Sequence, residues 1–113
     1  MSAGATARSD DEMTDTLLRA LAAPRRRAIL RLVADRERSA GEIAAEFDVS
    51  RTAISQHLTV LKEAGLLIER RDGTRRLYQG RREGLAQLRV ALDGIWGNAL
   101  NLAKALVEAD RER

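Results

Sequence analysis

Apolar positions recur along this chain with a helical period in five places and with a strand period in one. The first helical run is MTDTLLRALA, which sets Met13, Leu17, Leu18 and Leu21 on one side. Pro24, the only proline, then opens a second helix, because a missing N–H costs nothing in a first turn. From there PRRRAILRLVAD carries Ala28, Ile29, Leu32 and Val33 at helical spacing. In SAGEIAAEFDVS, Ser39 and Glu42 have the S-x-x-E spacing of a capping box. Ile43, Ala44 and Phe47 mark the inner face of that short helix, and Ser50 is placed to cap the next. Two short helices joined by a tight turn make a helix-turn-helix.

The fourth run, SRTAISQHLTVLKEAGLL, spends hydroxyl side chains where Ala or Leu would form a better helix. On a wheel of about 100° per residue, Leu58 and Leu61 fall within about 40° of Ile54. Ala53, His57 and Ala64 flank that stripe. Thr52, Ser55, Gln56 and Thr59 converge on the opposite arc, bordered by Arg51 and Lys62. A solvated face would usually be built from Glu and Lys. Short hydroxyls and an amide framed by cations are instead the side chains that reach base edges and phosphates in a major groove.

Gly65 stops this helix, after which LLIER and RRLYQ alternate in strand fashion around Asp72-Gly73, a hairpin signal. A two-stranded ribbon is marginal by itself, so Leu66, Ile68, Leu77 and Tyr78 are expected to pack on the helices. Arg70, Arg71, Arg75 and Arg76 cluster at the tip against a single acid, a costly arrangement unless a polyanion meets it. The predicted fold is mainly α with a small β-hairpin wing: a winged helix-turn-helix of about five helices.

The last run is the longest, and covers about residues 82–109. Leu85, Leu88, Leu92, Ile95, Ala99, Leu102 and Leu106 keep a 3-4-3-4 spacing, with Trp96, Leu100, Ala103 and Val107 as a second stripe. One small domain cannot cover so wide a face, so a homodimer built from the first and last helices is expected. Its interface is expected at Leu17, Leu18, Leu88, Leu92, Ile95, Trp96, Ala99, Leu102 and Leu106. Gly94 and Gly97, each costing roughly 1 kcal/mol in a helix interior, suggest close backbone approach there.

Length and composition narrow the class. At 113 residues the chain holds one domain, expected over 13–109 behind a disordered acidic tail at 1–12. No apolar run approaches a membrane span and no apolar signal core opens the chain, so a cytoplasmic protein without membrane partners is expected. The net charge of +3 is unevenly spread: residues 50–82 carry eight cations against three acids, while the ends are acidic. That asymmetry fits a footprint on double-stranded DNA. With no cysteine, one histidine and no glycine-rich phosphate loop, no enzyme active site is expected. Only three aromatics are present, and Phe47 and Trp96 are expected to be used in packing, which leaves little for stacking single-stranded RNA.

LAAPRRRAILRLV followed by GEIAAEFDVSRTAISQHLTVLKEAGLLIERRDGTRRLYQ resembles the ArsR/SmtB family of bacterial winged-helix repressors. The S-x-H-L-x-x-L-x-x-A-G-L run and the wing are in register, and the resemblance spans roughly residues 14–107. It implies dimeric binding to a palindromic operator, usually that of the regulator's own operon, with release by a signal. The recognition helix carries over to 50–64 and the wing to 66–79, which makes Ser50, Arg51, Thr52, Ser55, Gln56, Thr59, Lys62, Arg70, Arg71, Arg75 and Arg76 the candidate DNA contacts. Metal-sensing members use a Cys motif near the third helix, or Asp/His and His/Glu sites on the last. Here SAGEIAAEF has no Cys and the last helix no His, so no metal and no cofactor are expected. His57 is expected to serve structure, hydrogen-bonded at the edge of the core or to a phosphate, rather than to read bases. Arg25-Arg26-Arg27 sits at a helix N-terminus, against the macrodipole, and calls for either an internal ion pair or a phosphate. The function expected is a dimeric, autoregulatory DNA-binding repressor. The alternatives are a metal- or ligand-responsive derepressor with an unrecognised site, and a winged-helix module for protein or RNA.

Overall fold

The computed structural model describes residues 2–111, with side chains from residue 11 onward. Five helices and three short strands follow in the order α1 (Ser2–Ala20), α2 (Pro24–Val33), β1 (Arg38–Ser39), α3 (Ala40–Ala45), α4 (Arg51–Glu63), β2 (Leu67–Asp72), β3 (Arg75–Gly80) and α5 (Arg82–Arg111). This is the winged helix-turn-helix the sequence predicts. Helical backbone is described from Ser2, earlier than the run at MTDTLLRALA. Of the stretch expected as a tail, 1–12, the backbone from Ser2 is helical, while Met1 and the side chains up to residue 10 lie outside the described residues.

Local signals explain where the elements begin and end. Pro24 occupies the first turn of α2. Ser39 and Glu42 form a complete capping box at α3: Glu42 N–H donates to the Ser39 hydroxyl at 3.1 Å, and Ser39 N–H donates to the Glu42 carboxylate at 2.9 Å. Gly65, at φ +82°, closes α4 in a Schellman motif, its N–H bonding Lys62 O at 3.0 Å and that of Leu66 bonding Leu61 O at 3.0 Å.

The core is aliphatic. Ile29, Val33, Ile43, Ile54, Leu58, Leu61 and Leu66 are fully or almost fully buried, joined by Leu17 and Ala20 of α1, Leu67 and Tyr78 of the wing, and Leu88 of α5. The helix-turn-helix therefore shares one core with the base of the wing.

Two details depart from the sequence expectation. First, the wing is the larger part of a three-stranded antiparallel sheet in the order β1-β3-β2. β1 is only two residues long and pairs Arg38 with Tyr78 and Ser39 with Leu77, too short a strand to leave a periodic pattern. Second, the register of β2 is shifted by one from the expected set. Leu67 points into the core, so Ile68 faces outward and is 51% exposed. With a side-chain period of two, one inward residue fixes the next outward. The same shift sets the turn: Asp72 pairs with Arg75, leaving Gly73-Thr74 as the loop. Gly73 has φ +65°, and among the described residues no non-glycine residue, Thr74 included, has positive φ, which fits a type II′ turn.

α5 packs by its first turns. Arg81 N–H bonds Leu66 O at 2.8 Å, and a Cβ on Gly84 would overlap the carbonyl oxygen of Gly65. Thus the start of α5 lies directly on the C-cap of α4, and the rest of the helix projects outward.

Candidate nucleic-acid interface

The stripe of α4 divides as the wheel predicts. Ile54, Leu58 and Leu61 are buried, while Arg51, Thr52, Ser55, Gln56, Thr59 and Lys62 are exposed. Ser50 is also exposed, but its hydroxyl accepts the Ala53 N–H at 3.1 Å as the cap of α4. Thr59 donates to Ser55 O at 3.0 Å, which leaves its oxygen lone pairs as acceptors. A cleft of about 440 Å³ opens between this face and the wing. Arg51, Ser55, Thr59 and Lys62 form one wall, Glu69, Arg75, Arg76 and Tyr78 the other. Thr52 and Gln56 stand outside the cleft.

The wing arginines are not equivalent. Arg70 makes a forked pair with Glu37, at 3.0 and 2.7 Å, and Arg75 reaches Glu42 at 3.0 Å. Lys62 sits 3.4 Å from Glu69, which also accepts the Tyr78 hydroxyl at 2.9 Å. All three carboxyls are held below the ordinary carboxylate range: Glu37 by the hydrogen bond from Arg70, Glu42 by Ser39, and Glu69 by Tyr78. The expectation of one acid against four arginines therefore misses Glu37 and Glu42, which arrive from distant parts of the sequence. Among the described residues, Arg51, Arg71 and Arg76 are in no ion pair.

The Arg25-Arg26-Arg27 cluster is in no ion pair among the described residues. Arg26 donates to Ala20 O at 2.6 Å and Arg19 O at 3.1 Å, and Arg27 to Leu21 O at 2.6 Å. They cap the carbonyl end of α1, where cations complement the macrodipole, so the repulsion expected at α2 is offset by its neighbour. Arg25 lies over the Phe47 ring, 5.4 Å from its centre. His57 has the structural role expected of it. Its Nδ1 is 3.3 Å from Arg26 Nη1, and because a guanidinium only donates, Nδ1 is the acceptor and the proton belongs on Nε2. Burial, then Arg26 and Arg25, lower its pKa.

Of the residues expected at a dimer interface, Leu17 and Leu88 are buried in the chain's own core, where the α1 and α5 stripes meet the helix-turn-helix. Leu18 is half-buried, and Leu92, Ile95, Trp96, Ala99, Leu102 and Leu106 are exposed. Trp96, expected to pack, is 67% exposed. A Cβ on Gly94 or Gly97 would meet nothing within 4 Å. The glycines at close approaches are Gly84 and Gly80, where a Cβ would lie 2.6 Å from Ala34 O. Among the described residues, no cluster of His, Cys, Asp or Glu is placed to hold a metal, and no helix is long and apolar enough to cross a membrane.

A helix-turn-helix with a polar outward face beside a basic wing defines a DNA-binding transcriptional regulator. More particularly, the chain belongs to the ArsR family of bacterial regulatory proteins, whose family model matches residues 23–69. It is 45% identical to the HTH-type transcriptional regulator Rv2034 of Mycobacterium tuberculosis over 85% of this chain and 90% of that protein. A solved structure described as a possible transcriptional regulator for arsenical resistance matches at 44% identity and TM-score 0.71, over 79% of this chain and 93% of the other. HlyU of Vibrio cholerae in its reduced form matches at 29% identity and TM-score 0.65, over 80% and 96%. These relatives are regulators, and this protein is not an enzyme.

Proposed function

We propose that the protein is a homodimeric repressor of a palindromic operator. Residues 50–64 lie in the major groove, and the wing lies along the backbone or in the adjacent minor groove. The observation that carries this is the exposed face of α4, whose Thr52, Ser55, Gln56 and Thr59 are polar, short and bordered by cations. Ser55 and Gln56 read bases; Arg51, Arg71 and Arg76 bind phosphate. Two such modules related by a twofold axis would read half-sites about 34–36 Å apart, one turn of B-DNA. The exposed stripe of α5, with Leu92, Ile95, Trp96 and Leu102, is the surface apolar enough to hold that spacing. The operator is expected upstream of the protein's own gene. Relatives named as repressors, from Bacillus subtilis and Agrobacterium fabrum, support the sign of regulation, although the HlyU relative of Vibrio cholerae is named an activator.

Metal is not the releasing signal in this reading. One relative is described as a possible regulator for arsenical resistance, but soft-metal sites are built on thiolates and this chain has no cysteine. Stoichiometric zinc, cadmium or arsenite is expected to leave the protein–operator complex intact.

Protection mapping upstream of the gene, followed by two substitutions, tests the assignment. Gln56→Ala is expected to weaken operator binding by ~1–3 kcal/mol and random DNA far less. Arg76→Ala is expected to weaken both alike and flatten the salt dependence by about one phosphate contact. Equal losses on operator and random DNA for both variants would sink the division between reading and anchoring.

A further inference from the structure

Three cations of the proposed DNA face are already occupied, and each is held by a glutamate from a different place in the chain. Glu37 precedes β1 and takes Arg70; Glu42 is the third residue of α3 and takes Arg75; Glu69 lies in β2 and takes Lys62. Lys62, Glu69 and Arg75 line the α4–wing cleft, Glu42 pairs with Arg75, and Arg70 is a wing residue held by Glu37. We propose that Glu37, Glu42 and Glu69 are internal competitors of DNA phosphate: they hold Arg70, Arg75 and Lys62 in the DNA-free protein, yield them to phosphate on binding, and so limit affinity. The inference rests on the DNA face proposed above.

The chemistry of the exchange is direct. A carboxylate offers a guanidinium the same forked oxygen pair that a phosphate does. A polyanion wins the contest because its condensed counterions are released. After the exchange, however, the glutamates stay near the phosphates and repel them. Glu42 cannot retreat, because its carboxylate is also held by the Ser39 N–H in the capping box.

The rival explanation is that these pairs brace the wing. Two observations weigh against it. The pairs of Arg70 and Arg75 are exposed, with both arginines 56% accessible, and water screens such pairs so that they add little to stability. The wing, moreover, already has a six-pair ladder between β2 and β3 and the buried side chains of Leu67, Leu77 and Tyr78. Competitor and brace predict effects of opposite sign.

The test uses Glu42→Gln and Glu37→Gln in the full chain. Gln serves in a capping box as Glu does, and Glu37 caps no helix, so the two variants check each other against a folding defect. Binding is measured by fluorescence anisotropy on the mapped operator and on a random duplex, at about 50 and about 200 mM salt. Each variant is expected to bind both duplexes roughly three- to tenfold tighter at the lower salt, with a smaller gain at the higher. In an Arg75→Ala background the gain from Glu42→Gln is expected to shrink, because no held cation remains to be freed. Weaker binding by both Gln variants, or an undiminished gain without Arg75, would overturn the proposal. Failure of the DNA face itself would show elsewhere, as parent-like binding by Gln56→Ala and Arg76→Ala.

Discussion

α4 and α5 carry apolar stripes written in the same period, yet one is covered and the other is not. In α4, Ile54, Leu58 and Leu61 are each 1% exposed or less, enclosed by α2, α3 and β2. In α5 the stripe is buried at Leu88, then emerges at Leu92, 43% exposed, and Ile95, 48% exposed. The cause is length. α5 has 30 residues, about 45 Å of helix, while the rest of the chain covers only the first turns. A stripe thus states that a face needs cover; the length of the helix relative to the body decides whether the cover comes from the same chain.

The largest expected effect separates these two stripes. Leu58→Ala should cost about 2–5 kcal/mol and lower the melting temperature at every protein concentration, since it opens a cavity in the shared core. Ile95→Glu should instead shift ultracentrifugation toward monomer, remove the concentration dependence of melting, and lower operator affinity with it. A monomeric Ile95→Glu that bound the full operator as tightly as the parent would break the comparison. So would an Ile95→Glu variant destabilised as heavily as Leu58→Ala at all concentrations.

A smaller effect sharpens the same contrast within α5. Gly84 lies against the Gly65 carbonyl, so Gly84→Ala forces α5 away from the C-cap of α4 and should destabilise the protein by about 1–3 kcal/mol. Gly94 has open space around it, so Gly94→Ala should stabilise the protomer by up to about 1 kcal/mol through helix propensity. Chemical denaturation of both variants measures the difference. If Gly94→Ala weakens the proposed dimer, a partner backbone approaches there.

These cases show which parts of the molecule were legible in the sequence. The five helices, the capping box and the polar face of α4 were legible because each is local: a period, a cap and a wheel need no partner. The packing of Leu17 and Leu88, the outward turn of Ile68 and the strand β1 depend on contacts far apart in sequence, and no local pattern carries them. The electrostatics divide similarly. Four arginines near one acid looked unbalanced along the chain, but Glu37 and Glu42 arrive from about 33 residues away. Arg26 and Arg27 opposed the dipole of their own helix and satisfied that of the one before it. A signal for that reversal was available: only three residues separate Ala20 from Pro24, close enough for long side chains to reach back.

The smallest effect concerns His57, which among the described residues is the one α4 side chain that reaches the α1–α2 corner by a polar contact. Its imidazole accepts from Arg26 and is kept neutral by burial and by the two neighbouring arginines, so its folded pKa lies below the unfolded value near 6.5. Above that value neither state is protonated and the group is silent. As pH falls below it, the unfolded chain binds the proton first, and stability declines until the folded pKa is passed. The lowered carboxyls of Glu37, Glu42 and Glu69 act in the same direction, but only below their ordinary value of 4.5. A window from about pH 7.5 to about pH 5.5 therefore isolates the histidine. The parent should melt at a lower temperature at the acid end, and His57→Gln, which can still accept from Arg26 but cannot titrate, should show a smaller drop. Because the ring is partly exposed, the difference should be modest. An equal drop in both proteins would mean that the proton is taken up elsewhere, and that the Arg26–His57 contact does not set the acid sensitivity of the fold.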